Sequence, residues 1–227
     1  MIQQSAASAD NTPTTATSNG EYLQFGCGLC APHSWRNFDA GPAFWLQRNF
    51  PFLKAALVRR GFPSYPRNIE FGDVIKGLPV PPGSAKAAYC SHVLEHMALE
   101  ELRIAVRNVH VYLQPGGTFR MVLPDLEYLA KSYVADDHAD AASRFMEESL
   151  LGTKTQLRGL SGLPQMLFGR SRHLWMWDYK SLSRELEIAG FRNIRRARIG
   201  DSADSRFREV EDPGRWDNCL GIECSKS

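Results

Sequence analysis

The sequence predicts an α/β domain built on a mainly parallel sheet with helices on both faces, and three observations carry that expectation. A short apolar-rich strand, Tyr22-Leu23-Gln24-Phe25, runs directly into Gly26-Cys27-Gly28. A stretch from about Leu99 to Leu113 places Leu102, Ala105, Val106, Val109 and Leu113 at the spacing of one buried helical face. Gln114-Pro115-Gly116-Gly117 ends that stretch, and Thr118 to Leu123 follows as a strand closed by Pro124. Strand, helix and strand thus succeed one another at the lengths of a right-handed parallel crossover.

The remaining elements take their places around this frame. Residues 1–20 are rich in Ser, Thr, Ala, Asn and Gln, lack aromatic residues, and offer no apolar periodicity; they read as a flexible tail ahead of a single domain over residues 21–227. An extended piece at Trp35 to Asp39 leads through Gly41-Pro42 into a helical stretch from about Phe44 to Arg60, with Pro51 as a point of interruption. Ile69, Glu70 and Phe71 form a third strand ending at Asp73, and Ala87 to Ser91 a fourth, separated by the Pro-rich loop Leu78 to Gly83. Leu126 to about Leu151 is helical in composition, whereas Gly152 to Arg172 holds four glycines and a proline and reads as a long loop. Asp178 is a good N-cap for a helix carrying Leu182, Leu186 and Ala189, with Gly190 as its stop. Two closing strands are expected near Asn193 to Ile199 and Cys219 to Cys224.

Composition narrows the function classes. Apolar residues at 43% and charged residues at 23% are those of a folded globular chain. A formal net charge of +2 gives no electrostatic reason to expect nucleic acid or an anionic membrane as a partner, and the arginines at 192, 195, 196, 198, 206 and 208 read as a solvated charged face. No apolar run approaches the ~20 residues of a membrane-spanning helix, and the N-terminus lacks the basic and apolar blocks of a secretory signal. Five cysteines form an odd set without disulfide-scaffold density, which fits a cytoplasmic protein with free thiols; Cys27-x-x-Cys30 lacks the second pair of a structural zinc site.

The chemistry concentrates at strand ends. A Gly-x-Gly after a buried strand lets the backbone pass close to a ligand, which Gly26 and Gly28 permit, although the third glycine of a dinucleotide fingerprint is missing. Asp39, at the end of the next strand, can hold ribose hydroxyls or serve as a turn aspartate before Gly41. Asp73 can accept from a purine amino group or cap a loop. Trp175, Trp177, Tyr128 and Tyr133 either wall an acceptor pocket or simply pack.

Ser91-His92-Val93-Leu94-Glu95-His96 followed by Leu113-Gln114-Pro115-Gly116-Gly117 is similar to the S-H-V-L-E-H and L-x-P-G-G blocks of the methyltransferase type 11 group. With Tyr22 to Gly28 and Asp73 to Pro82 in sequence before them, the blocks resemble those of class I S-adenosylmethionine-dependent methyltransferases. Trp35-x-Asn37-x-Asp39 and His173-x-Trp175-Met176-Trp177-Asp178 look like a bacterial branch of predicted methyltransferases. The resemblance implies a Rossmann-like fold and S-adenosylmethionine as cofactor. It also implies that Gly26 and Gly28 line the methionine part, Asp39 reaches the ribose, Asp73 lies near adenine, and Ser91 and His92 sit beside the sulfonium.

The acceptor it suggests is a small molecule or a saccharide-related compound. His92 and His173, with His96, are the candidate catalytic bases for a poorly nucleophilic acceptor. His92, Glu95 and His96 would share a helical face at i, i+3 and i+4, as in a metal-binding arrangement, but an imidazole where related sites carry a glutamate suits magnesium poorly, and no metal is expected. The chain departs from the family pattern where the glycine run ends in Leu29-Cys30, where the following helix shrinks to Ala31 to Arg36, and where Lys86 or Ala87 replaces a fourth-strand aspartate. The abbreviated glycine loop motivates an alternative, a non-catalytic binding or regulatory module on the same fold.

Overall fold

The computed structural model describes residues 20–152 and 172–227, so the expected tail and most of the expected long loop lie outside the described residues. Small apolar side chains make the central strand: Ala85-Lys86-Ala87-Ala88-Tyr89-Cys90-Ser91 is buried on both faces except at Lys86, as a parallel strand covered from both sides must be. Around it lie β1 (Glu21–Phe25), β2 (Arg36–Asp39), β3 (Ile69–Phe71), β4 (Ala85–Ser91), β5 (Leu113–Pro124), β6 (Phe191–Ala197) and β7 (Cys219–Lys226). They form one sheet in the order β3-β2-β1-β4-β5-β7-β6. The first five strands are parallel, and β7 runs antiparallel to both β5 and β6. The chain winds outward from β1 to β3 and then returns to β4, so the switch point lies between β1 and β4, the place beyond the strands' carboxyl ends where sheets of this kind bind ligands. This is the Rossmann-like arrangement the sequence predicts.

Six helices are described: α1 (Pro42–Asn49), α2 (Pro51–Arg59), α3 (Leu99–Tyr112), α4 (Leu126–Val134), α5 (Ala141–Glu148) and α6 (Tyr179–Ile188). Pro51 does break the second helical stretch, because it starts a helix more readily than it continues one. The stripe Leu102, Ala105, Val106 and Val109 of α3 packs with Leu182 and Leu186 of α6 against one sheet face. Asp178 caps α6 by accepting from the Ser181 amide at 2.8 Å.

The opposite face departs from expectation. Phe44 of α1 covers its β2–β3 edge with Cys27 and Ile69, but residues 26–35 form turns and no helix follows β1. The expected short helix at Ala31 to Arg36 is absent because Pro32 opens a turn instead, its carbonyl accepting from the Trp35 amide at 3.2 Å, and β2 has already begun at Arg36. The exposed sheet face is sealed from the far end of the chain. Two 3-10 turns between β6 and β7, Ser205–Glu209 and Pro213–Arg215, bring Phe207, Val210 and Trp216 onto Tyr22, Trp35 and Tyr89.

A buried charge anchors that segment. Arg120, fully enclosed in β5, pairs with Glu211 at 2.6 Å and with Asp201 and Glu223 at 2.9 Å, and donates to the Arg198 carbonyl. Its guanidinium also lies 4.9 Å from the Trp216 ring centre and 5.8 Å from that of Phe207. Three carboxylates and a carbonyl around one guanidinium engage four of its five N–H donors, which is what allows so costly a group to be buried.

Candidate functional site

The loop after β1 turns through two residues in the left-handed region, Gly26 at φ 62° and Gly28 at φ 57°, which glycine adopts without the Cβ penalty. Their surroundings differ. A Cβ on Gly26 would come within 2.3 Å of Val93 Cγ2, so its bareness makes room for the chain beyond β4 rather than for a ligand; a Cβ on Gly28 would meet nothing within 4 Å. Gly28 therefore borders open space.

Asp39 fixes this loop. From the carboxyl end of β2 its Oδ2 accepts the Gly28 amide at 2.8 Å and its Oδ1 the Gly41 amide at 2.6 Å. The turn-aspartate and ligand-holding readings are thus compatible, since each carboxylate oxygen has a second lone pair. Between the glycines, burial first and the Asp39 charge second raise the Cys27 thiol far above its ordinary range, and burial raises Cys30, so neither offers a ready thiolate. Asp73 sits just past β3, its Oδ1 accepting from the Ile75 amide at 2.9 Å, and the Gly72 amide donates to the Asp39 carbonyl at 3.2 Å, which ties the ends of β2 and β3 together.

The end of β4 holds the second half of the site. Ser91 is buried, and its hydroxyl has no hydrogen-bond partner among the described residues. His92 takes a left-handed backbone, φ 54°, and its amide donates to Val122 O. Its Nε2 lies 2.9 Å from the Arg215 carbonyl and 3.8 Å from Cys219 Sγ, and its Nδ1 lies 3.4 Å from Glu95 Oε1. Burial opposes charge on this ring, but the Cys219, Glu95 and Arg215 contacts outweigh it and push its pKa up to about 10. Arg215 also donates to the Ser91 carbonyl at 2.9 Å.

Glu95 is the least expected member. Its side chain is fully buried, and neither carboxylate oxygen has a hydrogen-bond partner among the described residues. Around it stand His92, His96 and His173, while its backbone carbonyl accepts the Leu174 and Trp175 amides at 2.7 and 3.2 Å. Burial lowers the pKa of His173, against the pull of Glu95. The surroundings thus push these two candidate histidines in opposite directions, His92 up and His173 down.

The expected i, i+3, i+4 helical face at His92, Glu95 and His96 is corrected in form: His92 precedes a single 3-10 turn at Leu94–His96, and Glu95 gathers the histidines by pointing inward. The aromatic candidates split as well. Trp177 is core, bridged to Asp125, while Trp175 is exposed with its ring 6.0 Å away. Tyr128 and Tyr133 are exposed, Tyr133 against Phe145. Arg195 pairs with Asp201 and Glu223, and Arg196 with Asp125 and Glu127, in keeping with a charged face rather than an anion site. Sequence reasoning missed Arg215, Cys219 and the central place of Glu95; the only local signal was an acid set between the apolar Leu94 and the buried Met97.

Comparison with known proteins follows the same outline. Residues 23–121 match a family described as a methyltransferase domain. No curated protein matches the sequence. Among solved structures, the chain is similar to "PigF with SAH" at 18% identity, TM-score 0.45, over 92% of this chain and 56% of that one. It is similar to a possible histamine N-methyltransferase from Thermotoga maritima at 13% identity, TM-score 0.48, over 92% and 83%. A third, an S-adenosylmethionine-dependent methyltransferase from Mesorhizobium loti, gives 18% identity and TM-score 0.46 over 91% of each chain. This chain thus spans just over half the length of the first.

Proposed function

We propose, from the match of residues 23–121 to a methyltransferase domain and from the order of its strands, that this chain is a class I methyltransferase that binds S-adenosylmethionine and transfers the methyl group to a small-molecule or saccharide-related acceptor. The observation that carries this reading is the Asp39 carboxylate holding Gly28 at the switch point of the sheet, with open space on the far side of that glycine.

The residues present fit the cofactor. Gly28 borders open space in which a Cβ would meet nothing within 4 Å, and Gly26 lets the loop close on Val93. Asp39 has lone pairs free for ribose hydroxyls, Asp73 lies beyond the adjoining strand end for the adenine, and the unpartnered Ser91 hydroxyl is available at the end of β4. When bound, S-adenosylmethionine supplies an activated methyl group on a sulfonium. Beside it, His92 faces the Glu95 carboxylate at 3.4 Å, so a cationic ligand would not meet the imidazole ring alone.

Methyl transfer needs positioning more than covalent help, and alignment in a water-poor pocket can contribute about 7 to 11 kcal/mol. His92 has both ring nitrogens engaged and is assigned a positioning role. His173, which burial keeps neutral, is the group able to accept a proton from a hydroxyl acceptor. A reducing, cytoplasmic setting is supported by the five free cysteines. Neither nucleic acid nor membrane is assigned as a partner: Arg195 and Arg196 are paired with carboxylates, and no described helix is long and apolar enough to cross a membrane.

Calorimetry with S-adenosylmethionine and S-adenosylhomocysteine, joined to mass spectrometry of ligands that co-purify with the protein, tests the proposal. Binding of one equivalent is expected, and no binding of either compound would sink it. The missing helix after β1 favours a second reading, a non-catalytic binding module. That reading is supported if the cofactor binds but its methyl group is never transferred across a panel of hydroxyl, amine and sugar acceptors.

A further inference from the structure

Glu95, His96 and His173 together form a place for a metal ion. Their candidate ligand atoms, one from each side chain, all lie within 4.8 Å of one another. Glu95 Oε1 is 3.8 Å from His96 Nε2 and 3.9 Å from His173 Nε2, and the two imidazole rings have centres 5.0 Å apart. Bonds of about 2.1 Å to a shared ion set neighbouring donors roughly 3.0–3.6 Å apart, so the two carboxylate–imidazole pairs need to close by a few tenths of an ångström, while the two imidazole nitrogens lie within 4.8 Å of each other.

Two further features favour an ion over chance proximity. The fully buried Glu95 carboxylate receives no hydrogen bond on either oxygen and has only the His92 ring, at 3.4 Å, as an outside partner, so a bound cation would offset much of the cost of burying it. His96 also turns its other nitrogen, Nδ1, to the Arg172 carbonyl at 3.0 Å. A proton held on Nδ1 by that carbonyl leaves the Nε2 lone pair aimed inward, which is how metal-ligating histidines are oriented.

We propose that Glu95, His96 and His173 bind one divalent transition-metal ion of the zinc class, beside the end of β4. Two imidazoles and one carboxylate suit zinc, iron or cobalt, and suit magnesium poorly. Three protein donors leave at least one coordination position for water or another oxygen ligand. The ion does not depend on the methyl-transfer reading; under that reading the open position takes an acceptor oxygen, and His173 is then a ligand instead of a base.

The test uses the full chain, stripped with a chelator and titrated with Co²⁺ and Zn²⁺, with cobalt absorption bands and calorimetry as readouts. Expected are one equivalent of Co²⁺, displacement by Zn²⁺ but not by Mg²⁺ at the same concentration, and at least a tenfold loss of affinity in Glu95→Gln and His173→Ala. Cys219→Ser should bind as the parent does. No stoichiometric Co²⁺ binding by the parent chain, equal competition by Mg²⁺, or unchanged affinity in both folded ligand variants overturns the proposal. Where near-ultraviolet circular dichroism shows that Glu95→Gln or His173→Ala does not fold, His96→Ala, with its side chain partly exposed, takes its place. S-adenosylhomocysteine binding measured on the stripped protein keeps the outcomes separate: its presence without metal binding sinks only the metal site, and its absence with metal binding sinks only the cofactor reading.

Discussion

Replacing Asp39 with Asn isolates what its charge does, because shape is conserved while one oxygen becomes a donor. In the parent, the two carboxylate oxygens accept backbone amides at 2.8 and 2.6 Å from a largely buried position. A hydrogen bond to a charged group contributes about 1.5–3 kcal/mol and a neutral one about 0.5–1.5 kcal/mol. In the Asn variant one amide keeps a neutral acceptor, losing about 1 kcal/mol, and the other faces an NH₂ group and is left unsatisfied, at about 1–3 kcal/mol. The total, about 2–4 kcal/mol, leaves a domain of ordinary stability folded. Urea unfolding with an unchanged m-value reads this loss. Calorimetry with S-adenosylhomocysteine should show at least a tenfold weaker affinity, corresponding to about 1.4 kcal/mol for one weakened ribose contact. An unchanged urea midpoint would refute the claim that the carboxylate holds the loop. Lost stability with undiminished affinity would refute its ribose role alone.

Other perturbations separate the parts of the fold. Gly28→Ala should cost only the left-handed backbone penalty of about 1–2 kcal/mol, yet weaken S-adenosylhomocysteine binding tenfold or more, whereas Gly26→Ala adds a clash with Val93 worth about 1–3 kcal/mol more; paired thermal melts and calorimetry check both. Arg120→Met strands the buried Glu211 and should destabilise by about 3–5 kcal/mol in denaturant titrations, a loss that Glu211→Gln in the same chain should partly restore. Although burial opposes its charge, the Arg195, Arg198 amide and Arg120 contacts bring Asp201 down to about 2. A depressed carboxyl contributes stability above its unfolded value near 4 and loses it as pH falls toward about 2, so urea midpoints should drop across that window, and drop less in Asp201→Asn. Parallel profiles for the two proteins would show that the pairing contributes nothing.

Much of the fold was legible because its signals are local. The α3 stripe recurs at helical spacing, Asp178 caps its own helix, and Pro51 breaks one, and each is decided within a turn or two of chain. The Gly26-x-Gly28 bend and Asp39 were legible for the same reason, since strand, turn and strand end are near neighbours. The cover of the second sheet face was not. Tyr22 Oη meets Asp204 across 182 positions, and residues 205–216 have no periodicity to announce burial. One clue was present: Arg120 sits between Phe119 and Met121 in an apolar strand, and a buried guanidinium requires acids brought from elsewhere. His173 was singled out on its own, but its meeting with Glu95 depends on how the chain returns to β4, which spacing cannot specify.

The same geometry divides the site by its place in the chain. The residues read as holding the cofactor, from Gly26 to His92, fall within the stretch 23–121 that matches the methyltransferase family. Arg215, Cys219 and His173, which close around Ser91, His92 and Glu95, all lie outside it. A cofactor common to many enzymes can be held by common residues, whereas an acceptor particular to one must be recognised by residues that vary. Arg120 joins the two sets physically: it pins Glu211 beneath the sheet, and four residues later Arg215 reaches the Ser91 and His92 backbone and ring. Under the proposed function, acceptor choice is therefore expected to follow the 205–216 segment and its ion pairs rather than the glycine loop. Substitutions such as Arg215→Ala should alter acceptor preference while S-adenosylhomocysteine affinity moves little, and equal losses in both would place Arg215 with the cofactor instead.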